Sequence, residues 1–326
     1  MSDLTISIAM CTYNGEKYLQ EQLDSIFNQT RLPDELVVFD DNSSDQSISI
    51  LERFSASTCF PVKIFKNQVN IGSTKNFEKA IIHCGGDIIA LADQDDVWQP
   101  NKLEIIQRSF EMSPKIGFFF SDANVTDEYM TITISRLWKS VDFSYWSRMR
   151  LVNGKAFDVL LNHNVVTGAT MAFRSELKEK VVPIPSRWVH DGWIAIIASA
   201  ITDLTICAEG LIEYRQHLQQ QIGVPNQGLI EKYEVSKATR PEGYMALADD
   251  YRDVYQRLCL FSEDSGLEVM LSKVRGKIKH LQARSEITQN GNYRFTLALR
   301  ELFSLRYFFY SRGIYSFLKD CRSILK

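Results

Sequence analysis

Apolar residues in the first 120 positions come in short dense runs: LTISIAM at 4–10, ELVVF at 35–39, VKIF at 62–65, DIIALA at 87–92 and IGFFF at 116–120. Runs of this length, without strict alternation, are the pattern of strands buried on both faces of a parallel sheet. Between them the apolar positions recur at helical spacing, as in Leu19, Leu23, Ile26 and Phe27, then Ile48 and Leu51, then Phe77, Ala80, Ile81 and Cys84. Strand and helix alternate every ~25 to 30 residues, the rhythm of right-handed βαβ units. The pattern predicts an α/β fold with a Rossmann-like, mostly parallel central sheet flanked by helices.

Each of three strands ends in a polar cluster: CTYNG at 11–15 after the first, DDNSSD at 40–45 after the second, and DQDD at 93–96 after the fourth. Strands of a parallel sheet share one carboxyl edge, where ligands bind, so the three clusters are expected to meet in one cleft. Crowded carboxylates raise one another's pKa unless a cation neutralises them. Hard oxygen donors at a strand end suit Mg2+ or Mn2+, held through one or two carboxylates together with substrate phosphate oxygens. The expected ligand is therefore a metal diphosphate. A purely local reading also exists, since Asp caps helices well and Pro100 suits a first turn. An EF-hand is excluded: Glu104 falls at the twelfth position, but Trp98 stands at the glycine position and Val97 at a ligand position. No P-loop and no GxGxxG is present.

Beyond the strands, WVHDGWIAII at 188–197 opens an apolar helix with Asp191, either as a cap facing the helix dipole or as a reactive acid. Gly168 in VVTGATMAF either lets the backbone approach a ligand or makes a plain turn. From about 218 to 242 the chain is polar and broken by Pro225, Gly228 and Pro241, a loop or linker placed at 224–243. Residues 244–326 read as a C-terminal helical region. Its last segment interleaves aromatic residues with arginines, a composition that fits a lipid interface, or a helical hairpin packed on another part of the protein.

Composition narrows the class. The chain has 326 residues, 45% hydrophobic and 24% charged, which is an ordinary globular balance. Six scattered cysteines form no CxxC pair and no metal spacing, so a reducing cytoplasm fits. The longest apolar run, IAIIASAI at 194–201, is far short of a bilayer span. The net charge of −3 hides an asymmetry: residues 272–326 hold 12 Lys or Arg against 3 Asp or Glu, leaving −12 for the rest. An acidic main part without a reader motif argues against nucleic acid.

The ordered set CTYNGEKYLQEQLDSIFNQT, DDNSSD, NIGSTKNF, ADQDDVWQPNK, TGATMAFR, HDGW and YRQH resembles glycosyltransferase family 2 over about residues 4–223, and within it the bacterial rhamnosyl- and glucosyltransferases of surface polysaccharide assembly. The resemblance implies a GT-A catalytic domain at 1–223 that transfers a hexose, rhamnose or another, with inversion. The donor would be a dTDP- or UDP-type sugar, the acceptor a saccharide or lipid-linked molecule, and the site cytoplasmic or on the inner face of the plasma membrane. It further implies that Thr12, Tyr13 and Asn14 line the nucleotide pocket, that Asp41 accepts a hydrogen bond from the pyrimidine, and that Asn76, Asp93 and Arg215 contact the nucleotide diphosphate. Asp95, Asp96 and His217 would hold Mg2+ or Mn2+, Asp191 would act as the base, and Gly168, His190 and Trp193 would face the sugars. His190 also has a reading as a structural histidine. HLQQQIG after His217 and Gly192 in HDGW depart from the usual pattern and bear on specificity. The alternatives are a sugar-phosphate nucleotidyltransferase and an inactive nucleotide-sugar-binding protein.

Overall fold

The computed structural model describes residues 4–134, 136–217, 240–261, 266–289 and 293–324. The polar stretch 224–243 thus lies almost wholly outside the described residues. Two compact units are present. One comprises 1–145, 165–198 and 202–224; the other comprises 146–164, 199–201 and 225–326.

The first unit is built on a nine-stranded sheet. Its strands are β1 (Ile6–Thr12), β2 (Glu35–Asp40), β3 (Val62–Lys66), β4 (Ile88–Ala92), β5 (Val97–Trp98), β6 (Ile116–Thr126), β7 (Ile132–Ile134), β8 (Met171–Arg174) and β9 (Asp203–Arg215). Their order is β3-β2-β1-β4-β8-β6-β9-β5, with β7 on β6. The five apolar runs all became strands. β1, β2 and β4 are buried along their whole lengths, whereas β3 closes one edge half-exposed and carries Lys63 and Lys66, which discourage further pairing. The ladders β3–β2, β2–β1 and β1–β4 are parallel.

The sheet is mixed beyond that point. β8 runs antiparallel to both β4 and β6, so it interrupts the parallel series. Its four residues, MAFR, are too short to register as a strand by pattern. β6 and β9 are parallel partners of 11 and 13 residues, bent by register shifts at Ser121/Asp122 and Asp122/Asn124. Those irregularities bend the long pair and re-aim the side chains that follow.

The helices up to residue 201 are α1 (Leu19–Phe27), α2 (Ser47–Ser57), α3 (Ser73–His83), α4 (Lys102–Glu111), α5 (Leu137–Ser140), α6 (Tyr145–Arg150), α7 (Ala156–Asn162), α8 (Lys178–Val181) and α9 (His190–Ile201), of which α7 and all but the first residue of α6 belong to the second unit. α1 buries Leu19, Gln22, Leu23 and Ile26, and α3 buries Asn76, Phe77, Ala80 and Ile81, one i, i+3, i+4 stripe each. The α1 stripe joins a core that includes Ile8, Val38, Ile88 and Phe119, whereas α3 packs on β1 and β2.

The second unit is helical and adds α10 (Pro241–Cys259), α11 (Leu267–Thr288), α12 (Arg294–Phe303), α13 (Arg306–Tyr310) and α14 (Ile314–Ile324). The segment from Arg294 is broken twice, at Leu305 (φ 59°) and Gly313 (φ 58°), both left-handed. Tyr244, Ala248 and Leu281 form its small apolar core. No helix among the described residues is long and apolar enough to cross a membrane.

Candidate active site

The carboxyl ends of β1, β2 and β4 lie on one edge of the sheet, and their polar clusters are tied together by hydrogen bonds. The Gln94 side chain clasps Tyr13, accepting from its N–H at 2.8 Å and donating to its carbonyl at 3.0 Å. Asn14, at φ 47°, accepts from the Ser44 N–H at 2.9 Å, and its own N–H donates to the Ser43 hydroxyl at 2.9 Å. Asn14 is thus a loop-former, tolerating a left-handed backbone as Asn can. The Tyr13 ring stays 43% exposed.

Several residues expected to touch the nucleotide are instead internal ties. Thr12 is buried and donates to the Asp40 carboxylate at 2.9 Å. Asn76 is buried, donating to the Phe39 carbonyl at 2.7 Å and accepting from Asn67 at 2.8 Å, so it anchors α3 to the end of β2. Asp41 accepts from Asn67 at 2.8 Å and from the N–H groups of Ile71 and Gly72 at 2.9 and 2.8 Å, which fastens the loop leading into α3. Arg215 is 2% exposed; its guanidinium donates to the carbonyls of Asp95 and Glu128 at 2.9 and 2.8 Å and pairs with Glu21. It also lies over the Tyr18 ring, 4.4 Å from the centroid. A cation so engaged holds the acidic loop in shape.

The acidic loop sorts its carboxylates by direction. Asp95 turns toward the end of β9, where its carboxylate lies 2.8 Å from His217 Nε2. That pair brings together an oxygen and a nitrogen donor from positions 122 residues apart. Among the described residues no cluster of three His, Cys, Asp or Glu stands ready to hold a metal ion. A two-residue set fits Mg2+ or Mn2+ when phosphate oxygens complete the shell. Asp96 points the other way: it is fully buried, with one oxygen accepting from the Arg215 N–H at 3.2 Å and the other without a hydrogen-bond partner. It is thus held inside the acidic loop rather than at its surface.

The acids of the strand ends feel one another's charge. Burial holds the Asp93 carboxyl up at about 7, with Asp95 and Asp191 adding to the rise and Lys102 opposing it. Burial, then Asp95 and Asp93, push Asp96 well above the carboxylate range. The buried Tyr214 phenol is raised by burial and by the charges of Asp96, Asp93, Asp95 and Asp191 together. The Cys11 thiol, raised chiefly by burial, registers Asp93 and then Asp41. Carboxylates from 41, 93–96 and 191 thus share one neighbourhood. Its counter-charge is Lys102, which the sequence did not single out: fully buried, it donates to the Ala169 carbonyl at 2.7 Å and stands 3.6 Å over the Trp98 ring. Burial pushes this ammonium down to about 7 while Asp96 and Asp93 resist.

Asp191 sits in the first turn of α9. Burial raises its carboxyl to about 6, against backbone N–H groups of Gly192 and Gly168 that donate to the carboxylate. Beside it the His190 ring is buried, stacks on Phe77 at 4.1 Å, and has no hydrogen-bond partner at either nitrogen. Burial pushes that imidazole down to about 3, so it is neutral. Gly168 admits it: a Cβ at 168 would lie 2.7 Å from His190 Nε2. The close approach this glycine permits is to a protein ring, not to a sugar. Trp193 is 1% exposed and its indole N–H donates to the Val181 carbonyl at 2.7 Å, so it is part of the core. Gly168→Ala is expected to destabilise the protein by about 1–3 kcal/mol, because a packed ring and an added methyl compete for one volume. A thermal melt reads this as a fall of roughly 2–10 °C, and an unchanged midpoint would show that the ring can retreat.

Comparison with known proteins agrees with this geometry. Residues 7–180 match the family model Glycosyl transferase family 2. An uncharacterized glycosyltransferase of Nostoc sp. is 28% identical over 221 residues, covering 66% of this chain and 65% of that protein. The UDP-Glc:α-D-GlcNAc-diphosphoundecaprenol β-1,3-glucosyltransferase WfgD of Escherichia coli is 33% identical over 125 residues, 38% of this chain and 48% of that one. The matched part therefore spans less than two thirds of either relative. In fold, the chain is similar to S. aureus TarS 1–349 in complex with UDP-GlcNAc, with a TM-score of 0.59 at 17% identity over 91% of this chain and 92% of that one. It is also similar to the mannosyltransferase PcManGT from Pyrobaculum calidifontis in complex with GDP-Man and Mn2+, with a TM-score of 0.50 at 17% identity over 92% and 76% of the two chains. The mixed sheet flanked by helices is thus the GT-A fold. With more than half of its 326 residues matched by the family model, the chain belongs to glycosyltransferase family 2.

Proposed function

We propose that the chain transfers a hexosyl group, rhamnose or another hexose, from a dTDP- or UDP-type sugar to a saccharide or lipid-linked acceptor, with residues 1–223 as the catalytic part. The observation that carries this reading is the 2.8 Å pairing of Asp95 with His217 beside Asp93, whose carboxyl also feels the charge of Asp191. The UDP-GlcNAc bound by TarS and the GDP-Man and Mn2+ bound by PcManGT support a nucleotide-sugar donor and a divalent cation.

In this mechanism Asp95 and His217 hold Mg2+ or Mn2+. The cation, when bound, offsets the charge that develops on the departing diphosphate. Tyr13 offers its exposed ring to the base, and the loop fastened by Asp41 and Asn67 shapes the rim beside it. Asp191 takes the proton from the acceptor hydroxyl as that oxygen attacks the anomeric carbon, while the bond from that carbon to the diphosphate oxygen breaks. A sugar hydroxyl is a weak nucleophile until a base is in place, so such a group is required. Attack opposite the leaving group inverts the anomeric centre. Lys102, held by the Ala169 carbonyl, keeps the negative charge of Asp93 and Asp96 from building up behind the site.

The test is a thermal-shift and turnover screen with UDP- and dTDP-sugars in Mn2+. Stabilisation by one nucleotide sugar, with slow release of the nucleoside diphosphate, is the expected result. Stabilisation by a nucleoside triphosphate instead would overturn it in favour of a nucleotidyltransferase. Donor binding without any turnover would make the chain a binding protein.

A further inference from the structure

We propose that the outward side of α12, α13 and α14 is a docking surface for an anionic lipid bilayer. Residues 293–324 carry six Lys or Arg and two acids, Glu301 and Asp320. Both acids are turned inward. Glu301 is 1% exposed, pairs with the neutral ring of His280 at 2.7 Å and accepts from Arg306 at 2.8 Å. Asp320 is 1% exposed, takes a two-point contact from Arg284 at 2.8 Å each and accepts from the Tyr307 hydroxyl at 2.7 Å. The outward side consequently has no carboxylate of its own, whereas Arg300, Arg312 and Arg322 are exposed there.

Between these arginines stand large apolar side chains that are half-exposed or more. Phe303 is 80% exposed, Phe309 58%, and Phe308, Ile314, Tyr315 and Leu318 each 50–52%. The three helices pack on one another and on α11 through their inner sides, where Ala298 and Tyr307 are fully buried. The left-handed breaks at Leu305 and Gly313 turn one long segment into three short ones, each with its own outward stripe. Short amphipathic helices with aromatic and aliphatic residues on one side and cations beside them seat at the boundary of headgroups and acyl chains. A second copy is a poor occupant: an isologous contact would set arginine against arginine with no exposed acid to answer it. An anionic headgroup layer over an apolar interior answers both features.

The inference does not rest on the catalytic reading, since it is read by flotation without donor or acceptor. The full chain is floated with phosphatidylcholine vesicles, with and without phosphatidylglycerol, at low and high salt. Flotation only with the anionic vesicles, weakened by salt, is expected. The triple variant Phe303→Ser, Phe309→Ser, Leu318→Ser is expected to lose at least roughly tenfold in partitioning. Arg300→Gln and Arg322→Gln are expected to cost about fivefold each, from the attraction of a single arginine near a charged surface. The arginine variants keep the test decisive should the triple variant lose its helical circular dichroism. A chain that stays at the bottom of the gradient, or floats equally with both vesicle types, overturns the proposal. So does a dimer in light scattering that the triple variant makes monomeric.

Discussion

Asp191→Asn is expected to slow sugar transfer by roughly 10²–10⁴-fold, the range set by removing a positioned general base. Donor affinity should hardly change, because the proposed role of the carboxylate is at the acceptor hydroxyl. Its pKa of about 6 makes the prediction sharper. The base works as the carboxylate, so transfer by the wild type should fall about tenfold per pH unit below 6, and this acidic limb should vanish in the variant. Stability runs the opposite way. A carboxyl raised by burial favours its neutral form in the folded chain, so its contribution is fully present below the ordinary carboxylate range. That contribution is lost as pH rises through about 6. At pH 8 the wild type therefore bears an ionised buried group, and Asp191→Asn should melt higher there while differing little at pH 4. Full transfer activity in the variant, with the acidic limb intact, would remove Asp191 from the chemistry. A melt that falls at every pH would make it a structural cap.

Asp95→Ala should lower transfer by about 10²–10³-fold, and chelation of the wild type should do the same, since in the proposed mechanism several kcal/mol of leaving-group stabilisation would come from the cation. Here the loss should appear in donor binding as well, because the diphosphate and the ion complete each other's coordination. His217 loses its 2.8 Å partner in this variant, so Mn2+ added back should not restore the donor-dependent thermal shift. His217→Ala should be milder, with Asp95 still in place. Asp96→Asn separates the readings of the acidic loop. Buried with an unpartnered oxygen, it should leave the metal dependence unchanged and alter only the melting temperature. Chelation without effect on turnover would sink the metal assignment.

Much of the fold was legible because burial on both faces leaves a plain mark. β1, β2 and β4 appear as unbroken apolar runs, and each ends where a polar cluster begins. The helical stripes of α1 and α3 were equally plain. β8 was not, since a four-residue strand inserted antiparallel between β4 and β6 has neither the length nor the alternation to stand out. β9 escaped for a related reason: with one half-exposed stretch and bulges against β6, its pattern is broken at the points where it bends.

The amino-acid sequence by itself determined which carboxylates exist at the strand ends, that an acid opens an apolar helix, and that the basic residues collect in the last 55 positions. Only the tertiary structure decided which way each polar side chain points. Thr12, Asn76, Arg215 and Trp193 have the residue types of ligand contacts, yet all are consumed by partners far away in the chain, from 12 to 194 residues distant. Asp95 and Asp96 are neighbours that differ entirely, one beside His217 and the other buried inside the acidic loop. The physical reason is that a hydrogen bond's partner is chosen by packing. Sequence states the donors and acceptors a chain must satisfy, and the folded backbone alone settles which of them satisfy one another and which remain for a substrate.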